Sequence, residues 1–150
     1  MRAARIHSYG PPESIVVEDL EPTPPGAGEV LVRVAACGVG NWDALVRAGR
    51  SGLPLSLPLT LGAEFAGVVE DSGSNVSGRF ARGEAVYGST NPSFTGGYAE
   101  YATCSADMLA AKASMLSAVE AASVPVAAVT AWQMLVEHAR VAAGQTVVVA

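Results

Sequence analysis

EVLVRVAACGVGNWDALVRAG, residues 29–49, holds two periodicities back to back, and the change from one to the other decides the fold. From Glu29 to Gly40 the period is two: Val30, Val32 and Val34 share one face, Leu31, Arg33 and Ala35 the other, as in a half-buried strand. At Asn41 the pattern changes. Asn41 is a candidate N-cap, Asp43 falls in the first turn, Arg47 in the last and Gly49 just beyond, each where capping and the helix dipole favour it. Residues 41–49 therefore read as a short helix.

Working outward, residues 2–8 and 14–19 are candidate strands joined by the turn signal Gly10, Pro11, Pro12. EPTPPGAGE, 21–29, is a surface connection, because proline lacks an N–H and fixes φ. Beyond a proline-punctuated loop at 50–60, EFAGVVED (64–71), EAVYG (84–88) and GGYAEYATC (96–104) are further strand candidates. Short strands at this spacing predict a barrel or sandwich.

The character changes near residue 117. SAVEAASVPVAAVTAWQMLVEHARVAAG is alanine-rich, and Pro125 opens a segment in which Val129, Trp132, Val136 and Ala139 recur at helical spacing, a stripe expected to pack in a core. His138 and Arg140 close it and Gly144 stops it. TVVVA, 146–150, is continuously apolar, the pattern of a strand buried on both faces in a parallel sheet. The expected division is a β-rich domain over 1–116, then linking helices and the first strand of an α/β domain over 117–150 that the chain does not otherwise contain.

A chain of 150 residues can bury one core. Half of it is apolar, but charges interrupt every stretch before the roughly 20 apolar residues a membrane span needs, and MRAARIHSYG has no apolar region of a signal peptide behind it. A cytoplasmic protein with no membrane association is expected. The net charge of −5, the single lysine Lys112 and the scattered arginines leave no footprint for nucleic acid, so small molecules or proteins are the expected partners. Cys37 and Cys104 lie far apart, outside any C-x-x-C pair, and read as buried thiols rather than a disulfide. His7 and His138 are isolated; His138 falls near a helix end, where the dipole favours a cation on the surface over metal ligation.

GEVLVRVAACGVGNWDALVRAG, PLTLGAEFAGVVEDSGSNV, ARGEAVYG, GGYAEYA, AVTAWQML and AAGQTVVVA, in that order, resemble the N-terminal half of the medium-chain dehydrogenase/reductases, in particular their zinc-free quinone oxidoreductase branch. The resemblance covers the whole chain. It implies a mainly β fold with helices: a GroES-like barrel, ending in the helix and first strand that lead into a Rossmann domain. In the family that strand runs into a glycine-rich turn that receives the cofactor pyrophosphate at a helix N-terminus.

Zinc-dependent relatives carry a ligating cysteine last in C-G-V-C and a ligating histidine in G-H-E. Here those positions are Gly40 and Ala63, in CGVG and LGAE, and neither side chain offers the N, S or O that zinc requires. The family's four-cysteine lobe has no counterpart in AVYGSTNPSFTGGYAEY, and Cys37, matching the non-ligating cysteine, reads as packing. Without a Lewis acid, oxidation of a simple alcohol lacks a route to the alkoxide. Hydride from a nicotinamide can instead add to a quinone or to the β-carbon of an enone, the developing oxyanion being met by hydrogen-bond donors or water. The resemblance thus implies a zinc-independent, NADPH-dependent reductase of quinones or α,β-unsaturated carbonyls, homodimeric in its full-length form. The alternative is a non-catalytic GroES-like domain acting as a binding or oligomerisation module.

The same matches imply site residues. Thr130 in AVTAW corresponds to the family's threonine beside the nicotinamide ring; its hydroxyl either orients the amide or bonds back to its own helix. The Gly40 position is usually asparagine in quinone reductases, and here asparagine comes one place later, so Asn41 is either a polar cofactor contact or only an N-cap. Trp42 and Asp43 fall near the family's cleft, with Trp42 lining the substrate pocket or filling core. Tyr87 and Phe94 are candidates for the pocket's apolar wall. Glu64 matches the acid of G-x-E, in a structural or a functional role.

Overall fold

The computed structural model describes residues 1–76 and 78–149. Its strands are β1 (Arg2–Ile6), β2 (Ile15–Asp19), β3 (Glu29–Cys37), β4 (Leu59–Thr60), β5 (Glu64–Ser72), β6 (Ala85–Ser89), β7 (Tyr101–Ser105) and β8 (Leu109–Ala111). Two antiparallel sheets form, one of order β7-β3-β5-β6-β8 and one of order β2-β1-β4, linked by a bridge between Ala3 and Ala99. The period-two reading of β3 sets its centre: Val30 and Val32 are fully buried, and they pack with Phe65, Val69, Val76, Val86, Cys104 and Leu109 into the main core. Burial of such side chains, at about 1.5–3 kcal/mol each, is the largest local contribution holding the five-stranded sheet. A smaller cluster of Ile6, Val46 and Leu61 lies under the loop 50–60.

Register shifts interrupt the β3–β5 ladder between Leu31 and Val32 and between Val34 and Ala36. Such irregularities bend a strand and increase its twist. The second lies just before Cys37, so it aims the end of β3 at helix α1 (Asn41–Arg47).

Helix α2 (Ala118–Ala122) starts at a capping box, in which Ser117 Oγ accepts the Glu120 N–H at 3.2 Å and Glu120 Oε2 accepts the Ser117 N–H at 2.8 Å. Its small faces, Ala121 and Ala122, are buried against Ala66 of β5. From 124 to 138 the chain continues as a helical arm, with wide i→i+5 turns at Val124–Ala128 and Gln133–His138 flanking the regular α3 (Val129–Trp132). Its packing on the barrel strands is concentrated in Val124–Ala128, against β5 and β6.

Two expectations change here. The stripe expected in a core is exposed: Val129 is 45% and Trp132 60% accessible, because among the described residues no element lies over that face. Residues 145–149 form no strand, and Val148 and Val149 are 85% and 88% accessible. A strand needs neighbours to take its N–H and C=O groups, and none of the eight strands is placed beside this segment. The last residue of the expected strand, Ala150, lies outside the described residues. Among the described residues no helix is long and apolar enough to cross a membrane.

Candidate functional site

The end of β3 and the start of β5 lie side by side, with Cys37 opposite Phe65, so the loops that follow one and precede the other meet. Cys37 Sγ and the Gly38 N–H both donate to the Glu64 carbonyl, at 2.8 and 3.1 Å. The Asp43 carboxylate, 7% accessible, closes the junction: Oδ2 accepts the Gly40 N–H at 2.9 Å and Oδ1 the Gly62 N–H at 3.2 Å. Gly62 has φ +98, and a Cβ there would stand 2.6 Å from the Tyr98 backbone nitrogen, so only glycine allows this approach. Thr90 Oγ1 and Ser89 Oγ donate to the Ala63 carbonyl at 3.2 and 3.0 Å, fixing the third side of the loop.

The capping of α1 differs from the expectation. Gly40, not Asn41, is the N-cap residue, and Asn41 is the first helical residue with an exposed side chain. The capping contact comes from within the helix, where the Asp43 carboxylate reaches back to the Gly40 N–H and also suits the positive end of the helix dipole. Asp43, expected at the substrate pocket, thus sits inside the fold holding two loops together.

Trp42 both packs against the Ile6, Val46, Leu61 cluster and faces Phe94. Its Nε1 donates to the Phe94 carbonyl at 3.3 Å, and the rings meet edge to face with centroids 6.0 Å apart at 78°. Phe94 has φ +55, in the left-handed region that a bulky side chain rarely adopts, and the Trp42 contact is one of the interactions holding it there. Tyr87 lies elsewhere: it packs with Ala66, Ala121 and Ala122 and lines a groove completed by Pro125 and Val129 of the arm. Thr130 is on the exposed face of α3, and its hydroxyl makes no hydrogen bond among the described residues. The structure therefore brings Gly40, Asn41, Trp42, Asp43 and Phe94 together and sets Tyr87 and Thr130 on and under the arm.

Tyr98 is a member of this site that the sequence pattern did not single out. Its hydroxyl is buried with no partner in hydrogen-bonding geometry, and burial first, then the neighbouring Asp43 charge, push its pKa well above the usual phenol value. The Cys37 thiol is pushed up to about 12, by burial first and then by the Asp43 and Glu64 charges. Cys104 is also pushed up to about 12, by burial and then by Glu29. Thiols held this far from the thiolate are packing groups and not nucleophiles. Glu64, whose role the sequence left open, is 9% accessible, and its Oε2 accepts the Val126 N–H of the arm at 2.7 Å. Among the described residues no group of three or more His, Cys, Asp or Glu side chains could hold a metal ion.

Residues 26–114 match the alcohol dehydrogenase GroES-like domain family. The chain belongs to that family. It is the quinone oxidoreductase-like N-terminal domain of a medium-chain dehydrogenase/reductase. It is 34% identical to a quinone oxidoreductase of Homo sapiens, over 99% of this chain and 45% of that protein. Among solved structures it is similar to the quinone oxidoreductase from Coxiella burnetii, with a TM-score of 0.86 and 32% identity over 91% of this chain and 44% of that one. It is similar also to the Escherichia coli quinone oxidoreductase complexed with NADPH, with a TM-score of 0.83 and 28% identity over 90% of this chain and 40% of that one. This GroES-like chain thus spans under half the length of the relatives it matches.

Proposed function

We propose that this chain forms the substrate-side wall of a zinc-independent reductase that passes hydride from NADPH directly to a quinone or an α,β-unsaturated carbonyl. Residues 1–116 would be the catalytic domain and 117–150 the link to a cofactor domain. The observation that carries the reading is the Asp43 junction. At the two positions where zinc-dependent relatives carry ligands stand Gly40 and Ala63, and the carboxylate beside them is committed to two backbone N–H groups at 2.9 and 3.2 Å. This donor set does not fit a zinc ion, which takes deprotonated thiolates, imidazoles or carboxylates directed at one point.

For a nicotinamide the residues do fit. An uncommitted hydroxyl, Thr130, stands on the solvent face of α3, able to donate to or accept from a carboxamide. The bound nicotinamide supplies the hydride. This chain would orient its amide through Thr130, offer Asn41 as a polar contact at the start of α1, and present the Trp42–Phe94 pair as an apolar wall to a flat acceptor. A second reading, a binding or oligomerisation module, is favoured by the exposed apolar face of the arm, where Trp132 and Met134 are 60% and 62% accessible.

The test uses a protein carrying this chain ahead of a cofactor-binding half, assayed for NADPH oxidation with a quinone or enone acceptor in the presence of a chelator. Activity should survive chelation, and Thr130→Val should lower kcat/KM by the roughly fivefold equivalent to about 1 kcal/mol, one neutral hydrogen bond. Loss of activity on chelation, or unchanged kinetics in Thr130→Val, contradicts the reading.

A further inference from the structure

We propose that Glu64 is a positioning residue: its carboxylate locks the arm that carries Thr130 to the loop that carries Gly40, Asn41 and Trp42. The proposal rests on the reading of Thr130 as the nicotinamide contact, and its test is independent of that reading.

The argument begins with an unmet need of the arm. The first N–H groups of any helix lack intrahelical partners. Here Pro125 has none to offer, and Ser123, the residue before the arm, makes no side-chain cap. Among the first-turn donors, the Val126 N–H is met from 62 residues away in sequence, by Glu64 Oε2 at 2.7 Å. A charged acceptor at the positive end of a helix is favoured by the dipole as well as by the hydrogen bond.

The other end of Glu64 is equally fixed. Its carbonyl takes the Cys37 Sγ and Gly38 N–H, and its carboxylate lies flat on the Gly38 backbone, where a Cβ would stand 2.5 Å from Oε1 and 2.7 Å from Cγ. A side chain at position 38 would displace the Glu64 carboxylate from its place between loop and arm. Glu64 also opposes Ser89 in the β5–β6 ladder, which roots it in the main sheet. Thr130 follows Val126 by four residues, about one turn further along the same arm. A single buried side chain thus sets how far the Thr130 turn stands from the Asn41–Trp42 turn. Both sides of the proposed cleft refer to it.

The test is amide hydrogen exchange by NMR on the 150-residue chain, with Glu64→Ala and Glu64→Gln. Glu64→Ala should speed exchange at residues 126–130 by about tenfold, the scale of a lost cap, while Val32 and Val86, in the core, stay protected. Glu64→Gln, which keeps an acceptor oxygen, should restore most of the protection. In the unsubstituted chain a scalar coupling across the hydrogen bond, between the Val126 nitrogen and the Glu64 carboxyl carbon, should be detectable. Unchanged exchange at 126–130 in Glu64→Ala, a Gln variant as fast as the Ala variant, or absence of the coupling would overturn the proposal. None of these readouts involves cofactor, so their failure is separable from failure of the Thr130→Val kinetics.

Discussion

Val32 and Val148 belong to equally apolar stretches, VLVRV in β3 and TVVV in the tail, yet Val32 is fully buried and Val148 is 85% accessible. β3 has β5 on one side and β7 on the other, and its pleat turns alternate residues into a core that both neighbours share. Among the described residues no strand pairs with the tail. The arm makes the same point at helical period: Ala121 and Ala122 of α2 are buried against the sheet, while Val129 and Trp132, a few residues on, are exposed. Apolar pattern states which face requires a partner. Whether burial follows depends on a second element being there to supply it.

The contrast is broken most easily where the expected effects differ most. Phe65→Ala, at the centre of the main core, should destabilise the chain by about 3–5 kcal/mol in urea denaturation, whereas Trp132→Ala on the arm should stay within about 0.5 kcal/mol. A costly Trp132→Ala would mean the arm is packed after all. Next in size, Asp43→Ala leaves the buried Gly62 N–H and the part-buried Gly40 N–H unmet and should cost about 2–3 kcal/mol, with Asp43→Asn intermediate because one acceptor remains. An Asp43→Ala variant as stable as the parent would remove the junction from the account.

The thiols sharpen the comparison by pH. Cys37 and Cys104 have folded pKa values of about 12, above the unfolded value of about 8.5. A raised pKa in the folded state gives stability that is complete below the unfolded pKa and is lost as pH rises toward the folded one. Stability should therefore hold to near pH 8.5 and fall above it, and a Cys37→Ala, Cys104→Ala chain should show a weaker decline. A small effect is also expected at Tyr98. Its hydroxyl has no partner to lose, so Tyr98→Phe should change stability by no more than about 1 kcal/mol, in either direction.

Much of the barrel was legible because its rules are local. The period of two placed β3, β-propensity placed β5, and Asp43, Arg47 and Gly49 bounded α1 to within a residue or two. The cap was missed because Asp43 reaches back to the Gly40 N–H, leaving Asn41 no capping work. β4 was hidden because two residues, Leu59 and Thr60, carry no periodicity and pair only through β1. The site was less legible than the fold. Trp42 meets Phe94 across 52 residues, and Glu64 meets Val126 across 62, and no local signal encodes either contact. Tyr87 was grouped with Phe94 by type alone, but its register opposite Ala66 turns it toward α2.

The barrel and the arm each contain one of the chain's two tryptophans, which makes the central contrast directly measurable. Trp42 is packed against the Ile6 cluster and edge-on to Phe94, and Trp132 is 60% accessible. Iodide quenching of fluorescence in the single-tryptophan chains Trp132→Phe and Trp42→Phe should show Trp132 quenched several times more readily than Trp42 in native buffer, the two becoming alike in urea. Equal protection of the two tryptophans in the native chain would contradict the account, by showing that the arm is as buried as the barrel.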